Sequence, residues 1–179
     1  MTKRQEDNAK RFIHMRTLIL WLVAVGGLLF INYGIYGKEM LIRNGEPILL
    51  KLAPVDPRSL IQGDYMDLRY DIAVGLEDDA IPRRGKLVIR LDENGVASLA
   101  RIDDGSPLSV DERLLNYYHH EWRIDLGAPS FFFQEGTASY YQDAQYGELR
   151  VDAQGNSVLV GLRSDKFEPL GPPTPVTTG

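Results

Sequence analysis

The feature that most constrains this chain is an uninterrupted apolar segment near its N-terminus. Residues 17–36 contain no charged side chain, and Asn32 is the only strongly polar residue among them. A helix rising about 1.5 Å per residue needs about 20 residues to cross about 30 Å of hydrocarbon. Trp21 near one end, with Tyr33 and Tyr36 near the other, lie where interfacial aromatic residues are favoured. The segment therefore predicts one transmembrane helix.

Lysine and arginine are unevenly distributed about this segment. Cytoplasmic flanks carry an excess of these residues, so the pattern predicts an N-terminus in the cytoplasm and a domain outside it, anchored in the inner membrane. We predict residues 1–16 as a cytoplasmic tail, 17–37 as the span, 38–168 as the extracytoplasmic domain and 169–179 as a disordered tail. The basic residues are Lys3, Arg4, Lys10, Arg11 and Arg16 before the span, and Lys38 and Arg43 after it.

Two other interpretations of the apolar segment stay open. A cleaved signal peptide fits less well, because the run is longer than the usual hydrophobic region and no clean small-residue cleavage site follows. A buried helix of a soluble domain should have a polar face, and the segment shows none.

Composition excludes several classes of function. The net charge of −5 disfavours a nucleic-acid binder, because no basic face is available to neutralise phosphates. The chain has no cysteine, which removes disulfides, thiol catalysis and cysteine-ligated zinc. We predict no cofactor.

The remainder of the chain has the patterns of antiparallel strands. Residues 85–102 and 147–162 each predict a hairpin, because a glycine opens a β-branched run and a glycine-containing turn reverses it. Asn44-Gly45 predicts another hairpin, although Met40 and Leu41 equally fit the end of the anchor helix. We also predict a short helix over 110–119, strands over 122–126 and 130–134, and an amphipathic helix over 137–146 beginning at Thr137. The predicted fold class is mainly β (α+β): a transmembrane helix, then a small antiparallel β domain with one or two short helices.

Residues 64–72 predict a further strand by strict alternation. Met66, Leu68, Tyr70 and Ile72 lie on one side, which we predict to be the core face; Tyr65, Asp67, Arg69 and Asp71 lie on the other. Gly63 allows a sharp entry into this strand, and Asp64 can accept the exposed N–H groups of such a turn.

Residues 63–70 fill every fixed position of the pattern Gly-Asp-Tyr-x-x-Leu-x-Tyr. The chain resembles the GDYXXLXY proteins, which are named for that motif. The similarity extends to the preceding span, to Pro57-Arg-Ser-Leu60 and to Phe133-Gln-Glu-Gly136 followed by a tyrosine-rich segment. The resemblance implies a bacterial membrane-associated protein without an assigned reaction, encoded beside multi-spanning membrane proteins and hence an accessory partner of one.

These observations favour a non-catalytic binding or accessory role for the extracytoplasmic domain, with an integral membrane protein as partner. The candidate binding residues are Asp64, Tyr65, Arg69 and Tyr70 of the motif; the competing interpretation is that the motif is a structural corner. The alternative function is a hydrolase or a degenerate signal-peptidase-like domain using the same corner. The signal-peptidase resemblance fails at the chemistry, because Pro54 occupies the serine position and Arg101 lies where a lysine base is expected.

Two remaining clusters have structural explanations. His119-His120-Glu121 has metal-ligand residue types, but adjacent strand residues point to opposite faces and no spaced partner is present, so we predict no metal site. The run Phe131-Phe132-Phe133 predicts a strand buried on both faces, or else a surface that docks onto a membrane or a partner.

Overall fold

The computed structural model describes residues 3–53, 61–62, 65–74, 76, 81–120 and 123–173. The chain divides into two compact units, Met1–Met40 and Leu41–Gly179. The elements are helix α1 (Lys3–Asn44), strands β1 (Glu46–Lys51), β2 (Ile61–Gln62), β3 (Tyr65–Asp67), β4 (Arg84–Leu91), β5 (Ala97–Ile102), β6 (Glu112–His120), β7 (Arg123–Asp125), β8 (Ser130–Phe132), β9 (Tyr146–Val151), β10 (Ser157–Arg163) and β11 (Pro169–Leu170), and 3₁₀ helices Asp71–Ala73 and Ala138–Tyr141.

Helix α1 contains the predicted apolar segment. Its Met15–Asn44 part, with a mean hydropathy of 2.1, is long and apolar enough to cross a membrane. The side chains of residues 15–40 are all exposed, as expected for a helix that a bilayer surrounds. One N-terminal apolar helix followed by a mostly antiparallel β domain is the predicted fold class, which the structure confirms.

The helix continues beyond the apolar segment into the second unit. The Gly45 N–H donates to the Leu41 carbonyl at 2.8 Å, which closes a last helical turn, and the Leu41 side chain is buried. The hairpin predicted at Asn44-Gly45 is therefore wrong, and the alternative assignment of residues 40 and 41 to the helix is correct. Burial of Leu41 explains why the helix continues to Asn44 although the sequence there is typical of a hairpin.

Within the described residues the strands form three antiparallel sheets, ordered β1-β9-β10-β11, β2-β3-β8 and β5-β4-β6-β7. The buried side chains of these sheets form one core, to which the first and third sheets contribute most. Burial of such apolar area is the main source of stability. The most deeply buried members are Ile48, Leu50, Leu87, Ile89, Leu115, Leu126, Leu149 and Leu162.

Three predicted elements differ from the structure. The helix predicted over 110–119 is wrong, since β6 occupies this stretch and pairs along β4. The helix predicted over 137–146 is a shorter 3₁₀ helix, Ala138–Tyr141, and the Thr137 hydroxyl donates to the Gln134 carbonyl without capping it. Part of the predicted disordered tail, Pro169–Leu170, pairs with β10; residues 174–179 lie outside the described residues.

The two predicted hairpins, β4–β5 and β9–β10, are present and have turns of the same construction. In each turn the first aspartate, Asp92 or Asp152, accepts through Oδ1 the N–H groups of the residues two and four positions later, at 2.8–3.0 Å. A glycine with positive φ, Gly95 (76°) or Gly155 (87°), completes each turn. Residues other than glycine rarely adopt a backbone conformation with positive φ, which accounts for glycine at these two positions.

The tips of these hairpins connect the two four-stranded sheets. The Gly95 carbonyl, in the β4–β5 turn, accepts the N–H of Leu49 on β1 at 2.9 Å. The Gly155 carbonyl, in the β9–β10 turn, accepts the N–H of Asn116 on β6, also at 2.9 Å. Each sheet therefore provides a hydrogen bond to the hairpin turn of the other.

The glycine near the start of each hairpin lies beneath a tyrosine ring. A Cβ at Gly85 would be 2.6–2.8 Å from the ring and hydroxyl of Tyr117, and a Cβ at Gly147 would be 3.1 Å from the Tyr70 ring. Both rings are buried. Glycine is required at these two positions because the aromatic ring occupies the space of a side chain.

The buried carboxylate of Glu112, at the start of β6, binds arginines on two other strands of the third sheet, β4 and β5. Its Oε2 accepts the Ser109 N–H at 3.0 Å and Arg101 at 3.2 Å, and its Oε1 accepts Arg90 at 3.5 Å. The backbone hydrogen bond from Ser109, followed by the two arginines, lowers the pKa of Glu112 from its ordinary value of 4.5, although desolvation opposes them. The folded state therefore favours the charged form.

We expect Glu112→Gln to lower the midpoint temperature of unfolding near pH 7, with a deficit that shrinks as the pH falls. A pKa that folding lowers contributes stability above the unfolded value and loses it as pH falls through the folded value. Thermal unfolding of the full chain in detergent, followed by circular dichroism from about pH 7 to about pH 3, measures this. The exposed Glu93→Gln is the control; a Glu112→Gln deficit that is constant with pH contradicts the expectation.

Candidate functional site

The motif strand presents the core face that its alternation predicts. Met66, Leu68 and Tyr70 are all buried, and Ile72 packs against the same core. The structure thus confirms the predicted inward side of the strand. Gly63 and Asp64 lie outside the described residues, and the predicted role of Asp64 stays a prediction.

The regular part of this strand is shorter than predicted, because β3 ends at Asp67. The chain continues irregularly but stays hydrogen-bonded: the Leu68 N–H donates to the Pro129 carbonyl, and the Arg69 carbonyl accepts the Ala53 N–H, both at 2.8 Å. Tyr70 then bridges to Leu52 before the first 3₁₀ helix. Residues 65–70 therefore contact strand-connecting segments on both sides.

Tyr70 is a buried structural residue in this arrangement. Its side chain is 2% exposed, its hydroxyl donates to the Ala128 carbonyl at 3.1 Å, and its ring covers Gly147. Burial raises the pKa of the Tyr70 hydroxyl, and the nearby Asp125 carboxylate raises it further. Tyr70 thus has a structural role in the core, and a binding role for it stays a prediction.

The solvent side of the motif carries an aromatic pair, Tyr65 and Phe132. These residues are cross-strand neighbours on β3 and β8, and their ring centroids are 5.8 Å apart. Phe132 is 75% exposed. Its neighbours Phe131 and Phe133 instead pack on Tyr141, with centroids 5.1 and 5.3 Å from that ring.

The phenylalanine run is therefore divided between core and surface. The expectation that the whole strand is buried on both faces is wrong for the middle residue, because alternation turns Phe132 outward while its neighbours reach Tyr141. A large exposed aromatic side chain beside a second one is typical of an interaction surface.

Next to the aromatic pair, a chain of ion pairs runs across the surface from the motif to β6. Asp67 accepts Arg123 Nη1 at 3.1 Å, and Arg123 Nε donates to Asp125 at 2.8 Å. The other Asp125 oxygen lies 3.2 Å from His120 Nε2. Each of these four side chains thus contacts a partner, either on a neighbouring strand or on the same strand. These contacts order the surface.

This chain of ion pairs ends at a cation–aromatic stack of Arg84, Tyr118 and His120. The Arg84 guanidinium carbon lies 4.8 Å from the centroid of the Tyr118 ring, and the His120 ring lies 4.5 Å from the same ring. Cross-strand pairing of Arg84 with Tyr118 and of Tyr118 with Asp125 brings these residues together. Their separation in sequence left no local pattern from which the stack could be predicted.

A family model described as GDYXXLXY protein matches residues 27–162. The chain belongs to the GDYXXLXY family. No curated protein and no solved structure matches it. In this GDYXXLXY domain, the fixed Leu68 and Tyr70 lie in the core and the fixed Tyr65 lies in the aromatic pair, so the family motif contributes to both.

The two histidines of β6 lie on opposite faces of the strand, as adjacent strand residues should. His120 is exposed in the stack, whereas His119 Nε2 is buried without a hydrogen-bond partner among the described residues. The described part of this GDYXXLXY chain also has no cluster of three or more histidine, aspartate or glutamate residues arranged to hold a metal. Glu121 lies outside the described residues.

Two residues of the hydrolase alternative, Pro54 and Asp64, lie outside the described part of the chain. Arg101, near the position of a lysine base, is bound to Glu112. Among the described residues, the polar contact of the exposed His120 is to Asp125 alone, and no serine or threonine hydroxyl is bound to that ring. Of the candidate residues, Arg69 is exposed and Tyr65 is half-buried.

Proposed function

We propose that this chain is a non-catalytic accessory protein, anchored in the inner membrane of a bacterial cell by α1, whose extracytoplasmic β domain binds an integral membrane protein. One observation carries the proposal: Phe132, 75% exposed, is paired with Tyr65 of the family motif on the solvent side of a small sheet. Aromatic side chains in such positions dominate the energy of many interfaces.

Two properties of the helix support the membrane setting. Its length and hydropathy suffice for one crossing. The excess of lysine and arginine before the apolar segment favours a cytoplasmic N-terminus, with the β domain on the other side. A domain held at the membrane surface meets membrane proteins at high effective concentration, so a small aromatic surface is sufficient for binding.

The aromatic pair is suited to this role because other side chains of the same segment form its contribution to the core. Met66 and Leu68 bury their side chains on the opposite side of the same segment from Tyr65. The exposed aromatic surface therefore has no evident structural duty at Phe132, where a polar residue would be equally compatible with the fold.

Chemical crosslinking in native membranes, followed by affinity capture, tests the proposal. We expect one multi-spanning membrane protein to be captured by the unaltered chain, and Phe132→Ser to reduce its recovery at least about fivefold, as the loss of an interface aromatic residue worth more than about 1 kcal/mol predicts. Val110→Ser is the matched control, since Val110 is 96% exposed and remote in sequence from the motif.

Near-ultraviolet circular dichroism of the purified variants confirms that both remain folded. Equal recovery with Phe132→Ser and Val110→Ser contradicts the proposed surface. If no multi-spanning protein is captured by the unaltered chain, the accessory function itself is wrong.

A further inference from the structure

The cation–aromatic stack contains an arginine whose hydrogen-bonding capacity is unused. Within the described part of the chain, Arg84 lies on the Tyr118 ring and makes no ion pair or hydrogen bond through its guanidinium. The other exposed or half-buried arginines of the third sheet, Arg90, Arg101, Arg113 and Arg123, are each paired with a carboxylate. Arg84 therefore differs from the other arginines of this sheet in being stacked on an aromatic ring without a carboxylate partner.

Stacking leaves the edge of a guanidinium free. The Arg84 guanidinium carbon lies 4.8 Å from the centroid of the Tyr118 ring, and none of its five N–H donors has a hydrogen-bond partner among the described residues. The Tyr118 ring also contacts His120, with ring centroids 4.5 Å apart, which restrains the platform. An arginine ordered in this way loses little side-chain entropy when it binds a planar oxyanion.

The surrounding charges are compatible with an incoming anion. Asp125, directly across from Tyr118, is neutralised by Arg123 at 2.8 Å, and its other oxygen lies 3.2 Å from His120 Nε2. Lys86, two residues along β4 and so on the same face as Arg84, has no carboxylate partner among the described residues. An anion at Arg84 thus meets two uncompensated cations and a carboxylate that is already paired.

We propose that the Arg84–Tyr118–His120 stack is a binding site for a carboxylate group carried by a protein partner. The site deepens the accessory function proposed above, and it rests on that function for the source of the carboxylate. The ion-pair chain connects the stack to the aromatic pair, so one partner segment with an acidic and an apolar side chain contacts both.

A protein carboxylate fits this surface better than a layer of anionic lipid headgroups. Two carboxylates, Asp67 and Asp125, lie between the stack and the aromatic pair. A uniformly anionic surface would approach both of them, whereas a single acidic side chain approaches Arg84 alone. Specificity thus comes from the alternation of charge along the surface.

Titration of the full chain in nanodiscs of uncharged phosphatidylcholine tests the site, with sodium succinate as the carboxylate probe. The ring signals of His120, assigned with His120→Gln, are followed by nuclear magnetic resonance because this ring lies next to the Tyr118 platform. We expect a saturable shift at millimolar succinate that sodium chloride of equal ionic strength does not reproduce. Arg84→Gln should weaken it at least about tenfold.

Two further variants make the result specific. Tyr118→Leu should also weaken succinate binding, because it removes the platform while keeping the cation. Lys51→Gln, an exposed lysine on β1, is the control and should leave the titration unchanged. A shift that chloride reproduces, or that persists at full strength in Arg84→Gln, overturns the site.

Nanodiscs containing anionic phosphatidylglycerol distinguish the source of the anion. We expect them to leave the His120 signals at the positions of the uncharged discs until succinate is added. If the lipid alone produces the shift, the anion belongs to lipid headgroups and the protein-carboxylate proposal is wrong. The titration needs no partner protein, so its failure is distinguishable from a failed crosslinking experiment.

Discussion

Replacing Tyr70 by alanine is expected to lower the free energy of unfolding of the β domain by about 3–5 kcal/mol, the cost of emptying a buried aromatic site. The ring fills the space over Gly147, and its hydroxyl binds the Ala128 carbonyl. Tyr70→Phe should cost about 1 kcal/mol, because only the hydrogen bond is lost. Urea unfolding of the full chain in detergent, followed by near-ultraviolet circular dichroism, measures both.

Tyr140→Ala provides the matched control for this prediction. Tyr140 is 45% exposed, and its removal should change the free energy of unfolding by no more than about 0.5 kcal/mol. If Tyr70→Ala remains within about 1 kcal/mol of the unaltered chain, the family motif does not act as the structural corner described here. The tyrosine at this position of the motif would then have to be explained by binding.

The second large effect is expected at Gly85, where even one methyl group collides with Tyr117. We expect Gly85→Ala to cost about 1–3 kcal/mol, because the added Cβ would lie 2.6–2.8 Å from a buried ring that cannot rotate into solvent. The same urea titration measures this cost. Gly161→Ala is the control, since a Cβ there meets nothing within 4 Å.

A double-mutant cycle isolates the collision from other consequences of the added methyl group. In a Tyr117→Leu background the space over Gly85 is partly free, so Gly85→Ala should there cost no more than about 0.5 kcal/mol. An equal cost in both backgrounds would show that backbone preference, and not the tyrosine ring, requires glycine at this position.

The parts of this fold that were predictable depend on neighbouring residues. The apolar segment of α1, the two aspartate–glycine turns and the inward face of the motif strand all follow from patterns within single continuous segments of sequence. For Met66, Leu68 and Tyr70, alternation alone was sufficient to identify the buried side. These elements needed no knowledge of what they pack against.

The parts that were mispredicted depend on distant partners. Residues 110–119 have leucines and tyrosines at spacings that fit a helix as well as a strand, and pairing with β4 decides for the strand. The end of α1 likewise depends on burial of Leu41 in the β domain. For Phe131-Phe132-Phe133 the sequence left a buried strand and a docking surface both open, because an apolar triplet does not reveal which of its faces is covered.

The candidate surface was the least predictable part. Arg84 and Tyr118 lie more than 30 positions apart and meet through the register of β4 on β6. Asp67 and Arg123 meet through the approach of two different sheets. Such contacts depend on which strands pair and how the sheets approach each other, and local patterns in a single sequence do not determine that topology.

The register of β1 on β9 has a consequence for how the protein is made. Glu46 lies opposite Val151, about 100 positions later, so the first strand after the anchor is completed by one of the last to be synthesised. At about 5–20 residues per second, synthesis of that interval takes roughly 5–20 s. Throughout this time Ile48 and Leu50 lack their final neighbours, so the nascent chain exposes apolar side chains. It depends on chaperones or on rapid folding to avoid aggregation.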